Sequence, residues 1–390
     1  MSFDEIQEWL TKRESQNLYR RRRVLESPQG IEVFVEGKRF LNFCSNDYLG
    51  LADDDRLKEA FKKGVDRWGV GSGASHLVSG HMGVHHELEE LLADFVGRPS
   101  AVLFSTGYAA NMGTINSLLS DGDQVFQDRL NHASLLDGGW ISRAEFNWFD
   151  HSNLSDLAEK VSVEGQSGSR QLVVSDGTFS MDGDFCKIRA LVDISRKKGL
   201  WVMIDDAHGI GTHGRGGVGL VDPVKFTTTD IPVLVGTLGK AFGSFGAFVA
   251  GEKSLTELLV QKARSYIYST AIPPAIAAAT IKSVEIVREE QWRRDHLDKI
   301  IEYFRSEASG IGFDIVDSMS PIQPLLVGDP REAIRLSSHL EREGILISAI
   351  RPPTVPDGTS RLRITLTAGH SFEHIEKLLD GLRNAKHVIG

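Results

Sequence analysis

Five short apolar runs recur between residues 102 and 236, and stretches with a helical pattern separate them. Strands that alternate with helices in this way form parallel sheets covered by helices. One run, Leu200–Asp205, is apolar almost throughout, as expected of a strand buried on both faces. The pattern therefore predicts an α/β fold with a mainly parallel central sheet. The predicted strands are Val102–Ser105, Gln124–Gln127, Gln171–Ser175, Leu200–Asp205 and Val233–Gly236.

Shorter segments flank this central region. Residues 3–23 are predicted to form a helix that ends in four consecutive arginines, and residues 31–35 and 39–43 to form a hairpin around Glu36-Gly37. Pro273-Pro274 interrupts the chain before a long helix that begins near Ala275. Strands predicted near 322–327 and 361–365 indicate a smaller α+β domain. The predicted division is 1–45 for the N-terminal helix and hairpin, 46–275 for the large domain and 276–390 for the small C-terminal domain.

Composition and charge exclude several classes of protein. The 390 residues are 41% hydrophobic and 25% charged, as in globular proteins long enough for more than one domain. A net charge of -9 argues against nucleic-acid binding, which needs clustered positive charge. Cys44 and Cys186 are the two cysteines, and the sequence has neither a signal-peptide pattern nor an apolar run near the roughly 20 residues that cross a membrane. We expect a cytoplasmic enzyme without nucleic-acid or membrane partners, and predict no metal site.

Lys240 lies in a turn of small residues between two apolar runs, Val233–Val235 and Gly246–Ala250. Gly239 and Gly243 allow a ligand to approach the backbone beside it. An amine in an apolar, glycine-lined pocket loses hydration, so its pKa falls and it can attack an aldehyde to form a Schiff base. The alternative is a solvated loop lysine in a hairpin.

Two carboxylates and a histidine follow the buried strand that ends at Asp205. Open α/β sheets bind ligands at the carboxyl ends of their strands. Because side chains alternate along a strand, Asp205 and Asp206 are expected to point to opposite sides. A buried carboxylate needs a cationic partner, and a protonated pyridine nitrogen is one. A capping aspartate at a strand-to-loop turn is the alternative.

The segment Ser105–Asn111 follows a predicted strand and opens a helix. Backbone N–H groups at a helix N-terminus bind dianions such as phosphate. Gly107 permits a close approach, and Tyr108 can cover the bound group. A capped helix start also explains Ser105 and Gly107 without a ligand.

The combination of Asp205-x-Ala-His208 with Thr237-Leu-Gly-Lys240 resembles the fold-type I enzymes that use pyridoxal 5'-phosphate (PLP), and specifically the α-oxoamine synthases. Members of that family condense an amino acid with an acyl thioester and release carbon dioxide. The resemblance covers nearly the whole chain. The matching motifs are Asn42–Gly50, Gly71–Gly80, Ser105–Asn111, Asn131–Ser134, Phe179–Asp184, Ile322–Asp329 and Ala349–Arg363.

The resemblance implies a PLP site, with Lys240, His132, Asp205 and His208 as catalytic residues. It implies that the His132 ring stacks on the pyridine, that His208 and Ser180 lie near the phenolic oxygen, and that Asp205 holds the ring nitrogen. It also implies a homodimer, in which Ser269 or Thr270 reaches the phosphate bound by the other subunit. The complete set of cofactor residues predicted in this way is Gly107, Tyr108, His132, Ser180, Asp205, His208, Thr237, Lys240 and Thr270.

The last two motifs are similar to the biotin-pathway branch of the family, which uses L-alanine and a pimeloyl thioester carried on coenzyme A or on acyl carrier protein. There Arg351 is expected to bind the amino-acid carboxylate through its guanidinium fork. One of the arginines at 20–23, most simply Arg20, is assigned to the far carboxylate of the pimeloyl chain or to the carrier's phosphates. The predicted substrate-binding residues are Arg20, Asn46, Ser75, Arg351 and Thr354.

Asp176 departs from the glutamate that is more usual at its position in this branch. It retains the charge with a shorter reach, and the sequence leaves its role open.

Three alternative functions remain open from the sequence. A glycine-using sister synthase, which makes aminolevulinate or 2-amino-3-oxobutyrate, has the same PLP residues and a different substrate pocket. A nucleotide-binding protein would hold a nucleotide phosphate on Ser105–Asn111 and leave Lys240 incidental. A catalytically silent homologue is disfavoured, because Lys240, Asp205, His208 and His132 are all present.

Overall fold

The computed structural model describes residues 3–161 and 169–386. Contacts divide the chain into two compact units. The larger unit contains Leu49–Ser180 and Phe185–Arg294, and the smaller unit consists of the described residues of Met1–Tyr48, Met181–Asp184 and Asp295–Gly390. No helix in these described ranges combines the length and the apolar character needed to span a membrane. The division predicted at residues 45 and 275 stays a prediction.

In chain order, the helices are α1 (Phe3–Ser15), α2 (Asp55–Trp68), α3 (Gly83–Phe95), α4 (Gly107–Leu118), α5 (Ala133–Ile141), α6 (Leu154–Lys160), α7 (Ile188–Lys198), α8 (Lys253–Lys262), α9 (Arg264–Ile267), α10 (Pro274–Glu289), α11 (Gln291–Ala308), α12 (Pro330–Arg342) and α13 (Phe372–Ala385).

The strands, in the same order, are β1 (Glu32–Val35), β2 (Lys38–Asn42), β3 (Ser100–Phe104), β4 (Gln124–Asp128), β5 (Glu145–Phe149), β6 (Gln171–Asp176), β7 (Trp201–Asp205), β8 (Val233–Thr237), β9 (Ala247–Gly251), β10 (Asp314–Ile315), β11 (Ile322–Gly328), β12 (Ile345–Leu346), β13 (Ser348–Ile350) and β14 (Ser360–Thr365).

The larger unit is built on a sheet that, within the described residues, has seven strands in the order β3-β9-β8-β7-β6-β4-β5. β5, β4, β6, β7 and β8 run parallel to their neighbours in this series, whereas β9 is antiparallel to both β8 and β3. Each of the five predicted strands is present, so the expectation of a mainly parallel α/β sheet is confirmed. β5 was not predicted. Its sequence mixes polar and aromatic residues, of which only Phe149 is buried, and so does not form the apolar run of the central strands.

The core of this sheet is formed by aliphatic side chains that are almost completely buried, such as Val125, Leu172 and Met203. Burying a side chain of this size stabilises the fold by about 1.5–3 kcal/mol. The apolar residues run without polar alternation in β7 and β8, as both faces of these central strands are covered. The sheet therefore provides a rigid base for the polar residues at the ends of its strands.

The smaller unit has two sheets. β1 and β2 form the predicted hairpin, and β12 adds to β2 in parallel. β10, β11, β14 and β13 form the second sheet, in that order. Strands β11 and β14 match those predicted near residues 322 and 361.

The predicted helix over residues 3–23 is wrong in its second half, because α1 ends at Ser15. Asn17 takes a left-handed conformation with φ of 58°. The Leu18 N–H then donates to the Arg13 carbonyl, and the Asn17 N–H donates to the Glu14 carbonyl, at 2.9 and 3.0 Å. These two bonds form a Schellman motif, in which asparagine is tolerated at the left-handed position. The arginines at 20–23 therefore follow the helix in a segment without helix or strand.

Candidate active site

The loop between β8 and β9 carries Lys240, and its amine lies 2.9 Å from Nε2 of His208. His208 follows the end of β7 and is buried, while Lys240 is half-buried. A tight turn holds the lysine, because the Gly243 N–H donates to the Lys240 carbonyl at 2.8 Å. Gly243 has φ of 59°, and a Cβ there would lie 2.4 Å from the backbone nitrogen of Ala52, so glycine is required. Two residues predicted from separate motifs are thus neighbours.

Asp205 ends β7 with only 5% of its surface exposed. One carboxylate oxygen accepts from the Asn111 amide at 2.6 Å, and the other accepts from the Ala207 N–H at 3.0 Å. The same Asn111 amide lies 2.8 Å from the Ser134 hydroxyl. These bonds hold the carboxylate in one orientation without neutralising its charge.

Asn111 was not predicted as a site residue, although its motif was recognised. It is completely buried on α4, four residues after Gly107. A buried asparagine on a helix that packs on a sheet is unusual, since amides need partners there. The sequence itself shows only an asparagine between Ala110 and Met112, and its buried position and its partner are seen in the structure.

Asp206 makes different contacts from Asp205. It is fully buried and accepts from the Leu220 N–H at 2.7 Å. A Cβ on Gly209 or Gly219 would lie within 2.2 Å of its oxygens, so both glycines are needed to enclose it. Burial raises the pKa of Asp206 to about 8. This carboxyl is therefore mostly protonated at neutral pH.

The proton on Asp206 predicts a specific pH dependence of stability. In the unfolded chain this group loses its proton near its ordinary pKa of 3.8, whereas in the folded protein it keeps it to about pH 8. Its contribution to stability is complete below pH 3.8 and is lost as the pH rises to about 8. The free energy of unfolding of wild type, relative to Asp206→Asn, should thus fall over this range by up to about 1.4 kcal/mol per pH unit.

Urea unfolding of both proteins between pH 4 and 8 measures this difference. The exposed Asp193→Asn is the matched control, for which the difference from wild type should vary much less with pH. A constant difference between wild type and Asp206→Asn would contradict the assigned protonation.

His132 caps the N-terminus of α5. Its backbone N–H donates to Asp176 at 2.6 Å, and its Nδ1 lies 2.7 Å from the Ser134 hydroxyl. Loss of hydration lowers the pKa of His132, the nearby Lys240 acts in the same direction, and Asp205 opposes them. The ring is therefore neutral at physiological pH.

Asp176 ends β6 and is 3% exposed. Burial and the neighbouring charge of Asp205 raise its pKa well above the ordinary value. The sequence left the role of Asp176 open. In the structure, its hydrogen bond to the backbone of His132 holds His132 in position.

The start of α4 is formed as the sequence predicted. Gly107 is the first helical residue, and the Thr106 side chain accepts from the Ala109 N–H at 3.1 Å. A Cβ on Gly107 would meet no atom within 4 Å, so there is open space in front of it. The Tyr108 hydroxyl donates to Asp137. The N–H groups of the first turn have no acceptor within the helix and suit an anion.

The remaining predicted cofactor residues are more scattered. Thr237 ends β8, and its hydroxyl donates to the Gly246 carbonyl at 3.2 Å. Thr270 is exposed and forms an isolated antiparallel bridge with Ser75. Ser180 is half-buried. Lys240 and His208 are thus in direct contact. The other predicted cofactor residues lie on different elements of the larger unit, such as Gly107 at the start of α4, His132 at the start of α5 and Thr237 at the end of β8.

The donor set of the larger unit fits PLP. A primary amine suits its aldehyde, a buried carboxylate that is already oriented suits its protonated ring nitrogen, and a helix N-terminus suits its phosphate. Lys240, Asp205 and the first turn of α4 are the residues that would hold the three groups.

In the smaller unit, Arg351 donates to the carbonyl of Asn17 at 2.6 Å, and Arg20 donates to the Thr354 hydroxyl at 3.1 Å. Partial burial lowers the pKa of Arg351, and the charge of Arg20 adds to this effect. Two predicted arginines therefore lie close enough to repel each other. An anionic ligand placed between them would relieve that repulsion.

Asn46 lies elsewhere in the same unit. Its side-chain oxygen accepts from the Tyr48 hydroxyl at 3.2 Å and from Arg363 at 3.1 Å. Arg363 is nearly buried and was not predicted as a site residue. Its motif had been recognised, but the sequence of β14 alternates polar and apolar residues, so the pattern does not distinguish a binding arginine from a structural one.

Comparison with known sequences places this arrangement in a family. Residues 38–382 match the family described as aminotransferase class I and II. The chain belongs to this family. An 8-amino-7-oxononanoate synthase from Pseudomonas putida (strain GB-1) is 53% identical over 98% of this chain and 97% of its own length. One from Pseudomonas savastanoi pv. phaseolicola is 51% identical over 100% and 97%.

Solved structures of family members have the same fold. A serine palmitoyltransferase from Sphingomonas wittichii is 28% identical, covers 99% of this chain and 98% of its own, and superposes with a TM-score of 0.93. An 8-amino-7-oxononanoate synthase from Francisella tularensis is 29% identical over 88% of this chain and 97% of its own, with a TM-score of 0.77. The predictions of fold-type I and of the α-oxoamine synthase family are confirmed.

Proposed function

We propose that this chain catalyses the PLP-dependent condensation of L-alanine with a pimeloyl thioester, which releases carbon dioxide and the free thiol and gives 8-amino-7-oxononanoate for biotin synthesis. The observation that carries the proposal is the 53% identity to an 8-amino-7-oxononanoate synthase over 98% of the chain. The contact of Lys240 with His208, and the oriented charge of Asp205, provide the groups that the reaction needs. The proposed place of reaction is the cytoplasm.

PLP, when bound, supplies an electron sink for the negative charge that develops at the alanine Cα. Asp205 would hold the ring nitrogen in its protonated form, which this role of PLP requires. The bond from Asn111 fixes the carboxylate without supplying a competing positive charge. Because Asp206 is mostly protonated at neutral pH, it does not place a second negative charge beside Asp205.

Lys240 has two roles in the proposal. Its amine would attach to the aldehyde of PLP, and as a free amine beside the bound substrate it would accept the proton from the alanine Cα. His208 lies within hydrogen-bond distance of that amine and orients it. His132 is neutral and held by Asp176 and Ser134, so it can cover the ring and exclude water without adding charge.

Arg351 binds the alanine carboxylate in this proposal, and Arg20 the distal end of the acyl donor. Arg351→Ala should weaken alanine binding by about 1.5–3 kcal/mol, because a charged hydrogen bond is lost at a half-exposed position. Arg20→Ala should leave alanine binding nearly unchanged and raise the KM for pimeloyl thioester. Spectral titration with alanine and kinetics with the acyl donor measure the two effects. If the two variants behaved alike in both assays, the assignment would be wrong.

The decisive experiment is identification of the product by mass spectrometry. Purified protein is supplied with L-alanine or glycine, each with pimeloyl-CoA, pimeloyl-acyl carrier protein, succinyl-CoA or acetyl-CoA. The proposal expects 8-amino-7-oxononanoate from alanine and one or both pimeloyl donors. Aminolevulinate or 2-amino-3-oxobutyrate from glycine, without the alanine product, would establish the sister-synthase alternative instead.

We further propose that the active form is a homodimer with shared active sites. The exposed position of Thr270, next to Ser75 in the bridge, supports this assignment, because a threonine whose hydroxyl serves the second subunit must face outward. Sedimentation of the purified enzyme measures the oligomeric state.

A further inference from the structure

The segment from His76 to Glu90 holds a cluster of imidazoles and carboxylates that the proposed reaction does not use. Four of the 13 histidines lie between residues 76 and 86. His76, His81 and His86 line a cavity of about 570 Å³ beside α3, together with Glu89 and Tyr266. Such a concentration of potential metal ligands at one place on the larger unit needs an explanation.

One of these histidines is structural. His85 Nδ1 accepts from the Met82 N–H at 3.0 Å, and its Nε2 lies 2.8 Å from the Ile272 carbonyl, to which it donates. Both ring nitrogens of His85 are therefore engaged by backbone groups. A neutral histidine that caps a helix in this way has no lone pair left for a metal ion.

Three other residues keep ligand atoms available. The ligand atoms of His81, His86 and Glu89 all lie within 4.8 Å of one another. His86 and Glu89 are three residues apart on α3 and so share one face of the helix. His81 Nε2 lies 3.9 Å from the Glu89 carboxylate, which is too long for a hydrogen bond. Ligand atoms about a tetrahedral ion are roughly 3.3 Å apart, so the three must approach one another by about an ångström.

Two of the three are already oriented by partners behind them. His81 Nδ1 lies 2.8 Å from Nδ1 of His76, whose ring stacks on Tyr266 with 4.9 Å between centroids. The second oxygen of Glu89 accepts from the Leu103 N–H at 2.9 Å. Partners of this kind fix the orientation of metal ligands in known sites and leave the opposite atom free to bind. The third ligand, His86, is 66% exposed and able to move inward.

We propose that His81, His86 and Glu89 form a binding site for a divalent transition-metal ion of the Zn²⁺ type. Two imidazoles and one carboxylate are a donor set that such ions prefer, and three protein ligands leave a position for water or another ligand from the cavity. Because the ligands come from α3 and from the loop before it, the bound ion ties the start of the helix to that loop. The sequence prediction of no metal site is revised by this proposal.

Isothermal titration of the metal-free, untagged holoenzyme with ZnCl₂ tests the proposal. About one equivalent of Zn²⁺ per chain should bind, and the melting temperature should rise with its concentration, since an ion that binds only the folded state stabilises it. His86→Gln and Glu89→Gln should each weaken binding at this site by at least about tenfold, roughly 1.4 kcal/mol. His86 is exposed, so its variant is expected to fold normally without metal.

Glu87→Gln, on an exposed part of the same helix, is the matched control and should bind Zn²⁺ as wild type does. Absence of saturable binding to wild type would overturn the proposal. It would also be overturned if His86→Gln bound as tightly as the control. None of these outcomes depends on the condensation reaction, so failure of zinc binding leaves the proposed enzymatic function unaffected.

Discussion

Lys240→Ala should abolish product formation and leave the purified protein without the visible absorbance of lysine-bound PLP. The substitution removes both the covalent attachment and the base that accepts the alanine Cα proton. Loss of a positioned general base alone slows a reaction by about 10²–10⁴-fold, and the loss of a second role at the same atom adds to this. Product formation by mass spectrometry and absorbance spectra of the purified variant measure the two effects.

Lys225→Ala is the matched control, because Lys225 belongs to the same unit and its side chain is 66% exposed. It should retain both the absorbance and the activity. If borohydride reduction still linked PLP covalently to the Lys240→Ala protein, another lysine would be the attachment site. The nucleotide-binding alternative predicts no such absorbance in wild type either.

Asp205→Asn should leave PLP bound but slow the exchange of the alanine Cα proton by at least about a thousandfold, roughly 4 kcal/mol in activation free energy. An amide does not keep a pyridine nitrogen protonated, and the carbanion then loses its main stabilisation. The Asn111 amide would also face a second amide in place of a carboxylate. Deuterium exchange into alanine, followed by NMR, measures the rate without requiring the acyl donor.

Asp206→Asn provides the comparison within the same pair. Because burial keeps Asp206 mostly protonated at neutral pH, an amide resembles its native form, and exchange should be only slightly affected. Equal losses in both variants would show that the two carboxylates act together, and the assignment of separate roles to them would be wrong.

Much of the larger unit could be predicted from local patterns. β6, β7 and β8 are apolar and buried on both faces, so their runs stand out in the sequence, and the polar residues that follow them are at the carboxyl ends of the strands. His208 and Lys240 follow the ends of β7 and β8. Because these strands are adjacent and parallel, the two side chains lie close together. The cofactor and the roles of the catalytic residues were predicted from the family motifs.

Other features depend on contacts that no local pattern contains. α1 ends at Ser15 because Asn17 accepts a left-handed conformation, which competes with the helix-favouring arginines beyond it. Asn111 is recognisable as a partner of Asp205 only when α4 is placed on the sheet. The histidines near α3 divide into a structural residue and ligand candidates only through their backbone partners.

The pairing of β12 with β2 has a consequence for synthesis of the chain. The hairpin of β1 and β2 leaves the ribosome early, but Ile345 and Leu346, which complete its sheet, are translated about 300 residues later. At typical rates of elongation, the free edge of β2 waits roughly 15–60 s for its neighbour. Unpaired edges promote association between nascent chains, and charged side chains discourage it. β12 pairs with Leu41 and Asn42, and the exposed Lys38 and Arg39 place positive charge beside this part of the edge until β12 is made.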